Sequence, residues 1–192
     1  TKLEIQVPIL ENNPSIDLIH SKVAIMDALG QLTGGFGGAS SDKLHKRSGY
    51  VFWNALGCWL VKSPTPLIRK KVFRPDMFFD ESIATREDVD FYQRLFYRHK
   101  VIYIDEPLAY YREYDNQDRL SLQKEKYIGV EKKMYQNFKD MGIKNPFHLY
   151  FIALKLAQSN IRTHNNVFSN RLLKVNRIKL LLNPFRYLKE LV

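Results

Sequence analysis

Apolar residues recur at helical spacing in the opening KLEIQVPILEN, at Leu3, Val7 and Leu10, and the NNPS that follows ends the pattern. The next run, IDLIHSKVAIMDALGQL, reads as a strand, a turn at Asp27 to Gly30, and a second short strand. TGGFGGASSDK places four glycines between Gly34 and Gly38 and predicts a surface loop. A phosphate-cradling role for that loop would require a helix directly after it, and Ser, Asp and Lys follow instead. YVFWNALGCWLV is buried in character, with Cys58 expected in the core. A short apolar PLI and a basic RKK come next. KVIYIDEPLAYYREY then predicts two strand pieces parted by DEP. From Ser121 onward three helical patterns follow, punctuated by Gly142, Pro146 and Pro184. Strands and helices mix along the chain, which predicts an α/β fold with a boundary near residue 123.

Composition narrows this picture. A hydrophobic content of 45% excludes a disordered chain, and a single cysteine excludes a disulfide framework or a cysteine-rich zinc site. A reducing, cytoplasmic setting is therefore expected. No apolar run is long enough to cross a bilayer. Thr1 stands where an initiator Met would be, as expected of an excised or processed piece. Charge divides the chain more sharply than hydropathy does. Residues 1–123 are balanced, whereas residues 124–192 carry 14 Lys and Arg against 4 Asp and Glu and hold the whole formal charge of +10.

The most informative short segment is TREDVDF, Thr85 to Phe91. Thr85 followed three residues later by Asp88 is a variant capping box, and acids in a first turn suit the helix dipole. The three acids are not equivalent. At about 100° per residue, Val89, Tyr92, Leu95 and Phe96 form an apolar stripe with Asp88 on its edge. Asp90 falls on the opposite side, four residues before Arg94, which predicts an exposed ion pair. Asp88 thus faces the body of the domain at a helix start. A carboxylate placed there can take a proton from a bound hydroxyl.

The surroundings of Asp88 resemble the second half of a family 2 glycosyltransferase, whose fold is of the GT-A (nucleotide-diphospho-sugar transferase) type. The resemblance is carried by PLIRKKVF, then Phe79-Asp80-Glu81, then a helix opening with Glu87-Asp88, then a strand leading to Tyr111-Arg112 and a late Ser121. The first 30 residues look like the segment that follows the family's metal-binding Asp-x-Asp motif. In all, the likeness spans roughly residues 2–121. It implies a partial GT-A domain over residues 1–123 and a basic helical extension over 124–192. It further implies that Asp88, with Glu87 beside it, deprotonates the acceptor hydroxyl that attacks a nucleotide-sugar. A divalent metal, Mg or Mn, is implied for the complete enzyme, with ligands mostly outside this chain.

Three departures limit what carries over. The nucleotide-binding half and its Asp-x-Asp are missing. The DVD of Asp88 to Asp90 matches only in letters, because its carboxylates diverge by about 160° around the helix. A His common after the Tyr-Arg element is replaced by Glu113 and Tyr114. The tryptophan motif of processive synthases is also absent, which favours single addition. No metal set can be assembled from His20, His45, His99, His148 and His164, which are expected to pack or lie on the surface.

Trp53 and Trp59 are candidates for stacking on sugar faces, with core packing as the alternative. Arg86 and Arg112 are candidates for neutralising a phosphate, with pairing to nearby acids as the alternative. In the tail, Leu172, Val175, Ile178 and Leu182 cluster on one helical side, with Lys174 and Arg177 turned away. A basic amphipathic helix suits the inner face of an anionic membrane or a lipid-linked acceptor, and equally a packing contact with the domain or with a second copy. No reading motif accompanies the charge, so nucleic acid is not an expected partner. A binding module without catalysis, using this basic tail for membrane or protein contact, is the competing expectation.

Overall fold

The computed structural model describes residues 1–113, 123–168 and 175–189. The predicted helix is present as α1 (Lys2–Asn12), although it turns a different face inward than its spacing suggested. Leu10 is buried and Gln6 fully so, while Leu3 and Val7 are exposed. The reason is a polar anchor, since the Gln6 side-chain amide donates to the Thr65 carbonyl at 2.9 Å.

The strand that follows, β1 (Ile16–Met26), is buried along most of its length. Such continuous burial belongs to a strand paired on both edges. On one edge it pairs in parallel with β4 (Lys100–Arg112), from Ile16 opposite Lys100 to Met26 opposite Arg112. On the other it pairs antiparallel with β2 (Leu32–Gly37) and with the short β3 (Leu67–Ile68). The result is a four-stranded mixed sheet in an α/β fold. Leu10, Ile16 and Ile19 form a core cluster on it, packed by Ile9, Leu67, Ile102 and Ile104.

Two strand expectations are corrected by this sheet. The glycine run is not a loop but β2, because a long central partner supplies the pairing that glycine lacks as a propensity. Close approach also requires glycine here. A Cβ on Gly37 would stand 2.9 Å from the Val23 side chain, and one on Gly38 would collide with the Tyr103 hydroxyl. Likewise KVIYIDEPLAYYR is one strand. Its DEP segment is absorbed where the pairing shifts from Ser21 opposite Ile104 to Lys22 opposite Pro107, a bulge rather than a break.

The apolar segment at 50–61 folds as α2 (Phe52–Ala55) and irregular backbone. Val51, Phe52, Ala55 and Leu56 are buried, but Trp53 and Trp59 are 43% and 46% exposed and Cys58 is exposed. The core expectation for Cys58 is overturned, and so is the core-packing alternative for the two tryptophans. In α2 the residues Phe52 and Ala55, three apart on one face, are the buried ones, and Trp53 falls on another face.

The remaining helices are α3 (Glu87–Arg98), α4 (Val130–Asp140), α5 (Pro146–Val167), α6 (Arg177–Leu182) and α7 (Arg186–Lys189). Asn145 caps α5 through the amides of Phe147 and His148, ahead of Pro146 at the first helical position. Among the described residues no helix is long and apolar enough to cross a membrane.

Two compact units emerge, and they interleave in sequence. Of the described residues, the first holds 1–55, 59–78 and 91–113, and the second holds 56–58, 79–90, 123–168 and 175–189. The first unit contains the sheet with α1 and most of α3. The second packs α4, α5 and α7 around Met134, Phe138, Ile152 and Leu156, all fully buried.

Candidate functional site around the start of helix α3

Helix α3 begins at Glu87, and the residue before it, Arg86, has φ 64°. It is the one non-glycine residue with positive φ among those described. A left-handed backbone costs an L-residue about 1–2 kcal/mol, so surrounding contacts must hold it there. They do. The Arg86 guanidinium donates to Glu131 Oε1 at 2.5 Å and to Ser159 Oγ at 3.4 Å. Ser159 itself donates to the same Glu131 oxygen at 2.8 Å. Because α3 starts at Glu87, Arg86 and not Thr85 takes the cap position, and the Thr85 hydroxyl donates to the Lys126 carbonyl at 2.9 Å.

The three acids of the first turn part company. Asp90, expected to be exposed, is fully buried and accepts from Asn137 Nδ2 at 3.1 Å. Arg94, expected to be its surface partner, is also buried and donates to the carbonyls of Asp76 and Phe78 at 3.3 and 2.6 Å. The apolar stripe read from the sequence is therefore too narrow, since α3 is covered on more than one side. Asp80, of the Phe79-Asp80-Glu81 element, accepts from the same Asn137 nitrogen at 2.9 Å. Burial pushes the Asp80 carboxyl up, but hydrogen bonds from Asn137 and Ser82 outweigh it and hold it below the ordinary carboxylate range.

Asp88 and Glu87 are half-buried, and one Asp88 oxygen accepts from the Val89 amide at 2.7 Å. A cavity of about 580 Å³ lies in the same unit, and Asp88 is not among its described lining residues.

The other candidates belong to the first unit. Trp59 carries the Lys62 ammonium 3.8 Å from its ring and meets Tyr111 edge-on at 6.2 Å, a cation–π cluster at the surface. Burial lowers the Lys62 pKa. Trp53 packs edge-on against Phe52 at 4.7 Å. Arg112 is exposed and donates to the Ala28 carbonyl at 3.0 Å, beside the Asp27 turn. Ser121 and Tyr114 lie outside the described residues.

Among the described residues no three His, Cys, Asp or Glu side chains gather where a metal ion would be held. Asp88 and Asp90 meet different groups, the Val89 amide and Asn137. Glu131, Asn137 and Ser159 are the residues that sequence reading missed. Glu131 and Ser159 lie 45 and 73 positions from Arg86 and Asn137 lies 47 from Asp90, and no local spacing links them.

The chain matches no known protein family, no curated protein and no solved structure.

Proposed function

We propose that this chain is the acceptor-side part of a family 2-like glycosyltransferase in which Asp88 is the general base. The order of the Phe79-Asp80-Glu81, Glu87-Asp88 and Tyr111-Arg112 elements supports the family. The observation that carries the assignment of Asp88 is local. Asp90 is withdrawn into a hydrogen bond with Asn137, whereas Asp88 stays half-exposed on a helix start that Arg86 and Glu131 lock in place.

In the proposed reaction the acceptor hydroxyl oxygen bonds to the anomeric carbon of the donor sugar. The bond from that carbon to the phosphate oxygen breaks, the nucleoside diphosphate leaves with the electron pair, and the hydroxyl proton passes to Asp88. A sugar hydroxyl is a poor nucleophile, so proton removal during attack is what such a base contributes. The setting is the cytoplasmic synthesis of a surface polysaccharide or glycoconjugate, and the donor-binding half with its divalent metal lies outside this chain. With that half supplied, Asp88→Asn is expected to lower transfer about a hundredfold without shifting the melting temperature. Unchanged turnover of Asp88→Asn would remove the assignment.

A second reading, docking of the basic extension on an anionic membrane, is favoured by one surface. Phe147 is 72% exposed and Phe151, one turn later on α5, is exposed as well. Ile178 and Leu182, one turn apart on α6, are 67% and 79% exposed, and the Tyr150 hydroxyl donates to the Leu181 carbonyl to join the two helices. Val175 precedes α6 rather than lying on it, and Leu172 is outside the described residues. Lys144, Arg177 and Lys179 flank these apolar groups in sequence. Apolar side chains rimmed by cations suit a headgroup layer. The full chain should co-sediment with phosphatidylserine-containing vesicles, release at high salt, and lose binding on Phe151→Asp with Ile178→Asp. Equal sedimentation with purely zwitterionic vesicles would dismiss this reading.

A further inference from the structure

The cavity of about 580 Å³ in the second unit is not used by the transfer reading and stands independently of it. Its walls are apolar, formed by Ile83, Val130, Tyr135, Phe185 and Leu188. Ile83, Val130 and Leu188 are buried, and the Tyr135 and Phe185 rings meet edge-on at 5.7 Å. Burial raises the Tyr135 pKa, so this wall keeps a neutral phenol at physiological pH. The volume lies within the range of small-molecule sites.

The charged side chains of the described lining have one sign. Lys126, Lys132, Lys133 and Lys139 line it, all four exposed, and no Asp or Glu is among its described lining residues. Of the acids one position from a lining residue, Glu131 is fully buried and spent on Arg86, Ser159 and Thr163, whereas Glu81, Glu125 and Asp140 are exposed and not part of the described lining. The first turn of α4 adds to the same field. Ile128, Gly129 and Val130 form part of the wall, and Gly129, the N-cap residue, offers the first-turn amides no side-chain acceptor. Ser82 and Gln136 complete the lining, and its charged side chains are all cationic. An apolar chamber with this rim, beside a helix start without a side-chain cap, selects a ligand with a hydrocarbon body and a strongly anionic head.

We infer that this cavity binds an anionic amphiphile, a phosphate monoester carried on an apolar chain. The dianionic head engages the lysines and the uncapped end of α4, and the chain lies along Val130, Tyr135 and Leu188. Neither half of the ligand suffices alone, because the lysines are exposed at the rim, where a single ion pair is weak, and Lys133 already donates to the Ser82 carbonyl.

The test is isothermal titration of the full chain with dodecyl phosphate below its micelle concentration, alongside inorganic phosphate, dodecanoate and dodecyl maltoside. A saturable one-to-one isotherm is expected for dodecyl phosphate, with the other three at least about tenfold weaker. Lys132→Ala and Lys139→Ala, both at exposed positions, should each weaken binding about tenfold at an unchanged melting temperature. Ala84→Trp, which fills the mouth, should abolish it. Equal binding of dodecyl maltoside would make the site merely apolar. Equal binding of inorganic phosphate would reduce it to an anion patch, and equal binding of dodecanoate would remove the selection for phosphate. Unchanged affinity in all three variants would place the ligand elsewhere. Each of these results overturns the proposal.

Discussion

Arg86→Met is expected to lower the unfolding free energy by about 3–5 kcal/mol, the cost of stranding a buried charge. Glu131 is fully buried, and one of its oxygens receives Arg86, Ser159 and Thr163 at 2.5, 2.8 and 3.3 Å. The two hydroxyls orient that carboxylate, and among the described residues the Arg86 guanidinium is the cation paired with it. Without Arg86 the acid must either remain charged in an apolar interior or take up a proton, and both options cost free energy. A double substitution, Arg86→Met with Glu131→Gln, removes the charge together with its partner and should recover part of the loss. Denaturant titration of the two single variants and the double one gives the coupling directly. A loss below about 1 kcal/mol in the single Arg86 variant would show that the pair is not what holds this backbone. The functional consequence is specific, because Arg86 sits at φ 64° immediately before Glu87 and Asp88. Loosening it should disorder the helix start and lower transfer along with stability.

Acidification should weaken the first unit through His20. This imidazole is fully buried on β1, tilted against the Tyr103 ring at 5.0 Å, and neither of its nitrogens completes a hydrogen bond of good geometry among the described residues. Burial lowers its pKa from the ordinary 6.5 to about 4, and the Arg47 main chain only partly opposes that shift. An unfolded chain takes up the proton as pH falls through 6.5, whereas the folded chain does not until about 4. The contribution is therefore complete above pH 6.5, is lost progressively between 6.5 and 4, and changes no further below. Two and a half pH decades correspond to about 3 kcal/mol. Asp80, whose pKa is depressed, withdraws its own contribution only below the ordinary carboxylate value, so the two effects separate along the pH axis. His20→Phe, which keeps an aromatic ring at that position, should flatten the slope of unfolding free energy between pH 6.5 and 4. An unaltered slope in that variant would assign the acid sensitivity to another group.

What the amino-acid order determined by itself is the local grammar. The NNPS stop after α1, the Asp27 to Gly30 turn, the acidic opening of α3 and the Asn145-Pro146 start of α5 are encoded within a few residues, because capping and turn chemistry act over that distance. The +10 charge of the last 69 residues, 124–192, is equally visible in the sequence. Tertiary structure decided everything that depends on a partner far along the chain. Glycines 34 to 37 became a strand because β1 was there to pair with them. Asp90 and Arg94 went inside because Asn137 and the carbonyls of Asp76 and Phe78 received them. Trp53 stayed outside because α2 turned Phe52 and Ala55 inward instead. Period and composition report which residues prefer burial. A polar group goes inside only where a distant donor or acceptor meets it, and that meeting is settled by the fold.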